Sequence, residues 1–205
     1  MSQEDLHAII RRCVTTGDDI FSRLTDAIKN ESARTIGECR RVNQRRGLLW
    51  ELLCVEYLRH VGYSSVSRFE DVDSALKSSL GLRDRDMGID IICQKNDGFV
   101  AVQRKFRTKR SVTWTEIATF EALCARSGPW MEHIVMTNCH FVKREGKSER
   151  DVTFTHKSFQ KLGRHEWLSI GGMGAGRTLS DGGASSAEDQ REQWLLKLEG
   201  RMQKK

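Results

Sequence analysis

The sequence has one proline, two tyrosines and no pair of cysteines at CxxC spacing. So little proline excludes collagen-like chains and proline-rich spacers. The six cysteines (Cys13, Cys39, Cys54, Cys93, Cys124 and Cys139) are scattered, which excludes a zinc ribbon and a disulfide scaffold. Most sit in apolar patterns and read as small buried side chains in a reducing compartment, so an intracellular location is expected. No apolar run approaches the roughly 18 residues that span a bilayer, and residues 1–12 lack the apolar core of a secretory signal. An excess of one charge is also nearly missing: 34 Lys+Arg against 28 Asp+Glu leave +6, which permits a polyanionic partner without identifying one. What remains is a 205-residue chain, 38% hydrophobic, long enough for one sizeable core with segments outside it.

Periodicity organises the chain. Residues 4–14 read as a helix with Leu6, Ile9, Ile10 and Cys13 on one stripe, and residues 18–29 as another with Phe21, Leu24 and Ile28. Residues 34–46, with five arginines and one glutamate, read as a basic connector. Residues 48–61 form an apolar helix stopped at Gly62. A short strand is expected at 63–69 and a loop or short helix at 71–84. Two strands at 89–95 and 99–106 flank Asn96-Asp97-Gly98, a hairpin signal. Thr113 and Glu116 have the spacing of a capping box for a helix ending at Gly128-Pro129, and a buried strand at 134–136 returns to the same sheet. A short helix at 156–162 and a small strand at 167–170 follow. The expected organisation is a helical N-terminal extension with a basic connector (1–46), an α/β domain (47–170), a Gly/Ser linker (171–187) and an amphipathic tail helix (188–205). Trp194, Leu195 and Leu198 of the tail form a face for docking on the domain or on a second chain, so a homodimer is among the expected partners.

The chemistry concentrates around the hairpin. Gln103 and Lys105 share one face of their strand. A two-residue turn at Asp97-Gly98 sets Asp90 opposite Lys105, a four-residue loop sets it opposite Gln103, and a three-residue loop sends it to the other face. An acid among Ile89, Ile91 and Ile92 is costly unless it binds something. Asp90, the Gln103 amide oxygen and the Arg104 carbonyl are oxygen donors of the kind Mg²⁺ takes, and Lys105 can orient or deprotonate a water. A buried Asp90–Lys105 ion pair on an ordinary hairpin accounts for the same residues.

Gly88-Ile89-Asp90, a short hairpin and Gln103-Arg104-Lys105 together resemble the catalytic signature of the PD-(D/E)xK nuclease superfamily. The likeness is greatest to the Mrr-like branch (restriction endonuclease type IV-like), in which glutamine often precedes the lysine by two. Residues 47–51 followed by Gly62-Tyr63 are similar to that family's first core helix, and residues 134–138 to its later strand and turn. The resemblance runs from about residue 47 to 138. It implies a restriction-endonuclease-like mixed central sheet flanked by helices, with an α-β-β-β-α-β core. It also implies Mg²⁺- or Mn²⁺-dependent hydrolysis of DNA phosphodiester bonds by Glu51, Asp90, Gln103 and Lys105, with Glu51, Asp90 and Gln103 holding the metal. Gln103 supplies one negative charge fewer than the acidic form of the signature. A catalytically inactive DNA-binding module of the same fold and a protein-interaction subunit are the alternative functions.

Arg104, Arg107, Lys109 and Arg110 crowd the exit of the strand and read as phosphate contacts. Arg40, Arg41, Arg45 and Arg46 divide evenly between DNA contact and solvated surface. Asp86 and Glu121 are weaker candidates for the site, and Trp114 and Trp130 read as core or rim aromatics.

Overall fold

The computed structural model describes residues 2–15, 19–30, 35–85, 88–108, 111–146 and 148–173. The expected linker beyond residue 173, the tail helix, Asp86, Lys109 and Arg110 lie outside the described residues. Along the chain come α1 (Gln3–Thr15), α2 (Ile20–Lys29), α3 (Ile36–His60), β1 (Ser64–Arg68), α4 (Ser74–Ser79), β2 (Ile91–Lys95) and β3 (Gly98–Lys105). They are followed by β4 (Ser111–Val112), α5 (Trp114–Arg126), β5 (Glu132–Thr137), β6 (Phe141–Val142), β7 (Asp151–Phe154), α6 (His156–Gln160) and α7 (Arg164–Ile170). No described helix is long and apolar enough to cross a membrane.

The main sheet has five strands in the order β1-β2-β3-β5-β7. β1, β2 and β3 are antiparallel neighbours, whereas β5 and β7 run parallel to β3. The parallel step from β3 to β5 passes through α5, the crossover that a parallel pair requires. This is the mixed sheet flanked by helices of a restriction-endonuclease-like fold. β7 escaped the sequence reading because its four residues carry only a weak alternation, and the short β4–β6 pair escaped it for want of length.

The hairpin register is specific. Lys95 pairs with Gly98 and Ile91 with Val102, so Asn96 and Asp97 form the two-residue turn. Both have left-handed φ, 47° and 63°, as a type I′ turn demands. The turn thus falls one residue earlier than Asp97-Gly98, and the register brings Asp90 beside Gln103 rather than opposite Lys105.

One face of the sheet is covered by α3, which buries Leu49, Trp50, Leu53, Cys54, Tyr57 and Leu58 against Ile91, Val100, Val102, Ile134 and Met136. The arginine-rich stretch read as a connector is the first part of this helix. Thr35 Oγ1 accepts the Glu38 amide at 3.2 Å and Glu38 returns a carboxylate to the Thr35 amide at 3.0 Å, a capping box hidden by the charges around it. The buried stripes of α1 and α2 join the same core, with Leu6, Ile10, Cys13, Phe21, Leu24 and Ile28 all enclosed. Phe21 stacks on Phe159 of α6 at 4.9 Å between ring centroids and on Trp167 of α7 at 6.1 Å. Residues 167–170 are therefore helix, not strand: Trp167 and Ile170, three apart, fall on one buried face, and Glu166 caps the Gly163 amide at 2.6 Å. α5 covers the opposite face of the sheet, that of Ala101 and Gln103, and buries Ile117, Phe120, Leu123 and Cys124.

Candidate active site

Gly88 has a φ of +117°, and a Cβ there would stand 3.3 Å from the Phe120 amide nitrogen. Only glycine suits both the backbone and the space, so this turn delivers the chain into β2 through Asp90. The Asp90 amide donates to the Val102 carbonyl (2.9 Å), and its own carbonyl accepts from the Phe69 amide (2.8 Å). Backbone bonds to β3 and to the residue that follows β1 thus hold Asp90 just ahead of β2. Its carboxylate Oδ2 accepts the Arg104 amide at 2.7 Å. That bond fixes the carboxylate beside the middle of Gln103-Arg104-Lys105.

Alternation along β3 sends Arg104 to one face and Gln103 and Lys105 to the other. Arg104 points toward α3, where its Nη2 donates to Glu51 Oε2 at 3.0 Å, while its Nε lies 4.0 Å from Asp90 Oδ1. The side chains of Glu51 and Asp90 are only 12% and 14% exposed. Burial pushes the Glu51 carboxyl above the ordinary range; Arg104 opposes this and Asp90 adds to it. Beside them lies a groove of about 820 Å³ bordered by Arg40, Gly47, Glu51, Arg68 and Arg104.

On the α5 side, Gln103 is 3% exposed, and its Oε1 is buried without a hydrogen-bond partner. Lys105 is held below the ordinary lysine range, first by burial, with Asp90 pulling the other way. Asp90 therefore links Glu51 and Arg104 on one side of the sheet's end with Lys105 on the other. Glu51 and Asp90 offer carboxylate oxygens of the kind a hard divalent cation such as Mg²⁺ takes, and the orphaned Gln103 amide oxygen is a further oxygen donor on the α5 side.

The basic residues at the exit of β3 have separate surroundings. Arg107 Nε donates to Glu116 Oε1 at 2.6 Å, and the Arg107 backbone exchanges two hydrogen bonds with the Asn138 side chain (2.8 and 2.7 Å). Arg46 does internal work: its guanidinium donates to the Ile28 and Lys29 carbonyls at the end of α2. Trp130 is buried and Trp114 half-buried.

Glu121 meets a different group. Glu121, His133 and Asp151 bring ligand-type atoms within 4.8 Å of one another, a grouping without a sequence signal because the three come from separate elements. Arg144 fills it: Nη1 lies 2.7 Å from Asp151 Oδ1, Nε 3.5 Å from Glu121 Oε1, and Nη2 donates to the His133 and Val152 carbonyls at 3.3 and 3.4 Å. That cluster is compensated from within.

No curated protein and no solved structure matches the chain. The family model Mrr_cat_2, described as restriction endonuclease, matches residues 56–165. That span holds Asp90, Gln103 and Lys105 together with all five strands of the main sheet, and only Glu51 precedes it. With more than half of its length matched, the chain belongs to the Mrr-like restriction endonuclease family of PD-(D/E)xK nucleases.

Proposed function

We propose that the protein is a Mg²⁺- or Mn²⁺-dependent endonuclease that hydrolyses phosphodiester bonds of DNA. The observation that carries this reading is the meeting of Glu51, Asp90 and Lys105 at one end of the sheet of a restriction endonuclease domain. Glu51, Asp90 and the Gln103 amide oxygen would hold the cation, which supplies charge neutralisation at the phosphate and a water of lowered pKa. Lys105, depressed by burial, releases a proton more readily than a solvated lysine. Its Nζ thus serves to take or relay the proton of the attacking water and, when charged, to offset charge on the phosphorus. Arg104, Arg107, Lys109 and Arg110 add phosphate contacts, so affinity for DNA falls as salt rises.

The test is incubation of supercoiled plasmid with and without Mg²⁺. Wild type is expected to nick or linearise it only with the cation, and Asp90→Ala and Lys105→Ala to lose at least about a hundredfold in rate with unchanged circular dichroism. Cleavage retained by folded Asp90→Ala overturns the assignment. One observation favours a second reading, a DNA-binding module without cleavage: Arg104 already compensates Glu51 and Asp90, and Gln103 brings no charge. Salt-dependent DNA binding without nicking at any Mg²⁺ concentration is its signature.

A further inference from the structure

Between Glu51 and Asp90 the chain supplies a cation of its own. We infer that Arg104 is an internal counter-ion that gates divalent-cation entry, compensating Glu51 and Asp90 until a divalent cation displaces its guanidinium into the groove bordered by Arg40 and Arg68. This rests on the reading of Glu51 and Asp90 as the cation-holding pair.

Four observations carry it. The first is position: the guanidinium lies 3.0 Å from one carboxylate and 4.0 Å from the other, so a divalent ion shared by the two would meet it directly. Like charges at such range repel strongly in a half-buried site.

The second is the contrast with Arg144. Arg144 is 9% exposed, pairs with two carboxylates and also donates to two backbone carbonyls, which locks it. Arg104 is 24% exposed, and its side chain makes one hydrogen bond, through Nη2 to Glu51, with none to a backbone carbonyl among the described residues. Its outward path is the groove of about 820 Å³ that it borders.

The third is Gly47, in the interior of α3. A Cβ there would stand 3.3 Å from Arg104 Nη1, closer than side chains usually approach. A helix-interior glycine costs roughly 0.5–1 kcal/mol relative to alanine, and here its absent side chain makes room for the guanidinium.

The fourth is charge balance. Arg104 lies beside both carboxylates, with Lys105 acting on Asp90 and Arg68 on Glu51 as well, so a divalent ion shared by the two would overfill the position unless the Arg104 guanidinium gave way. In the groove the displaced guanidinium joins Arg40 and Arg68, where a phosphate can hold it. Cation and DNA then strengthen each other's binding, because linkage is reciprocal.

Calorimetric titration with Mn²⁺ alone, at fixed pH and salt, tests the gate on wild type, Arg104→Gln and Asp90→Asn. Arg104→Gln is expected to bind Mn²⁺ about tenfold more tightly than wild type, within the usual range of site coupling. Without the cation it should also melt lower than wild type, and Mn²⁺ should raise its melting temperature by more. Asp90→Asn should lose the binding. Equal or weaker affinity in folded Arg104→Gln overturns the gate while leaving the cation reading intact. Failure of both wild type and Arg104→Gln to bind overturns the cation reading, and the gate with it. Should Arg104→Gln not fold, Gly47→Ala keeps every charge and presses on the guanidinium. It is expected to bind about twofold more tightly, and wild-type affinity in that variant overturns the gate.

Discussion

Glu116 shows how much one carboxylate can hold together. It accepts the Thr113 amide at 2.9 Å as the return half of a capping box and pairs with Arg107 at 2.6 Å. The Arg107 hydrogen bond first, and the Thr113 amide next, bring its pKa from 4.5 down to about 2. A carboxyl depressed by folding contributes stability above its unfolded value and loses it as pH falls through its folded one. Glu116→Gln keeps the cap's shape but removes the charge that Arg107 pairs with, and is therefore expected to lower stability at pH 7 by up to about 1 kcal/mol, the range of a partly exposed ion pair. Against wild type the gap should shrink between pH 4.5 and about 2, as urea midpoints at pH 7 and pH 3 would record. A gap that stays constant across that window would mean that the carboxylate charge is not what stabilises this corner.

At the scale of elements, the β2–β3 hairpin sets the site's geometry through its turn. Asn96 and Asp97 both sit at positive φ, which short polar residues tolerate and alanine does not. Asp97→Ala is expected to cost about 1 kcal/mol, measured as a lower urea midpoint at unchanged slope. No loss would show that the turn relaxes to another type. The hairpin also marks how far the sequence could be read. Two strands around Asn96-Asp97-Gly98 were legible because alternation and turn residues are local signals, and α5 because its capping box and apolar spacing agree. The choice between two neighbouring turns was not, since Asn-Asp and Asp-Gly both suit a type I′ turn and both registers leave every side chain on the same face. For the same reason Asp90, Gln103 and Lys105 could be singled out, but not Arg104 meeting Glu51, a contact that depends on how α3 lies across the sheet. The start of α3 was obscured by its arginines, and the Arg144 cluster by its dispersal along the chain.

At the scale of the molecule, the N-terminal helices share one core with the nuclease domain. Phe21 is fully buried among Trp50, Phe159 and Trp167, which come from three other helices. Phe21→Ala is expected to cost about 3–5 kcal/mol, the usual loss for a buried phenylalanine, in chemical denaturation. A cost below about 1 kcal/mol would mean that α2 is only loosely attached. The same packing has a consequence for how the protein is made. Phe21 and Phe159 are 159 − 21 = 138 residues apart, so at roughly 5–20 residues per second a ribosome takes about 7–28 s to deliver the second ring after the first. During that interval the apolar stripes of α1 and α2 have no partner from α6 or α7. The finished core can therefore close only late in synthesis, once α6 and α7 have left the ribosome.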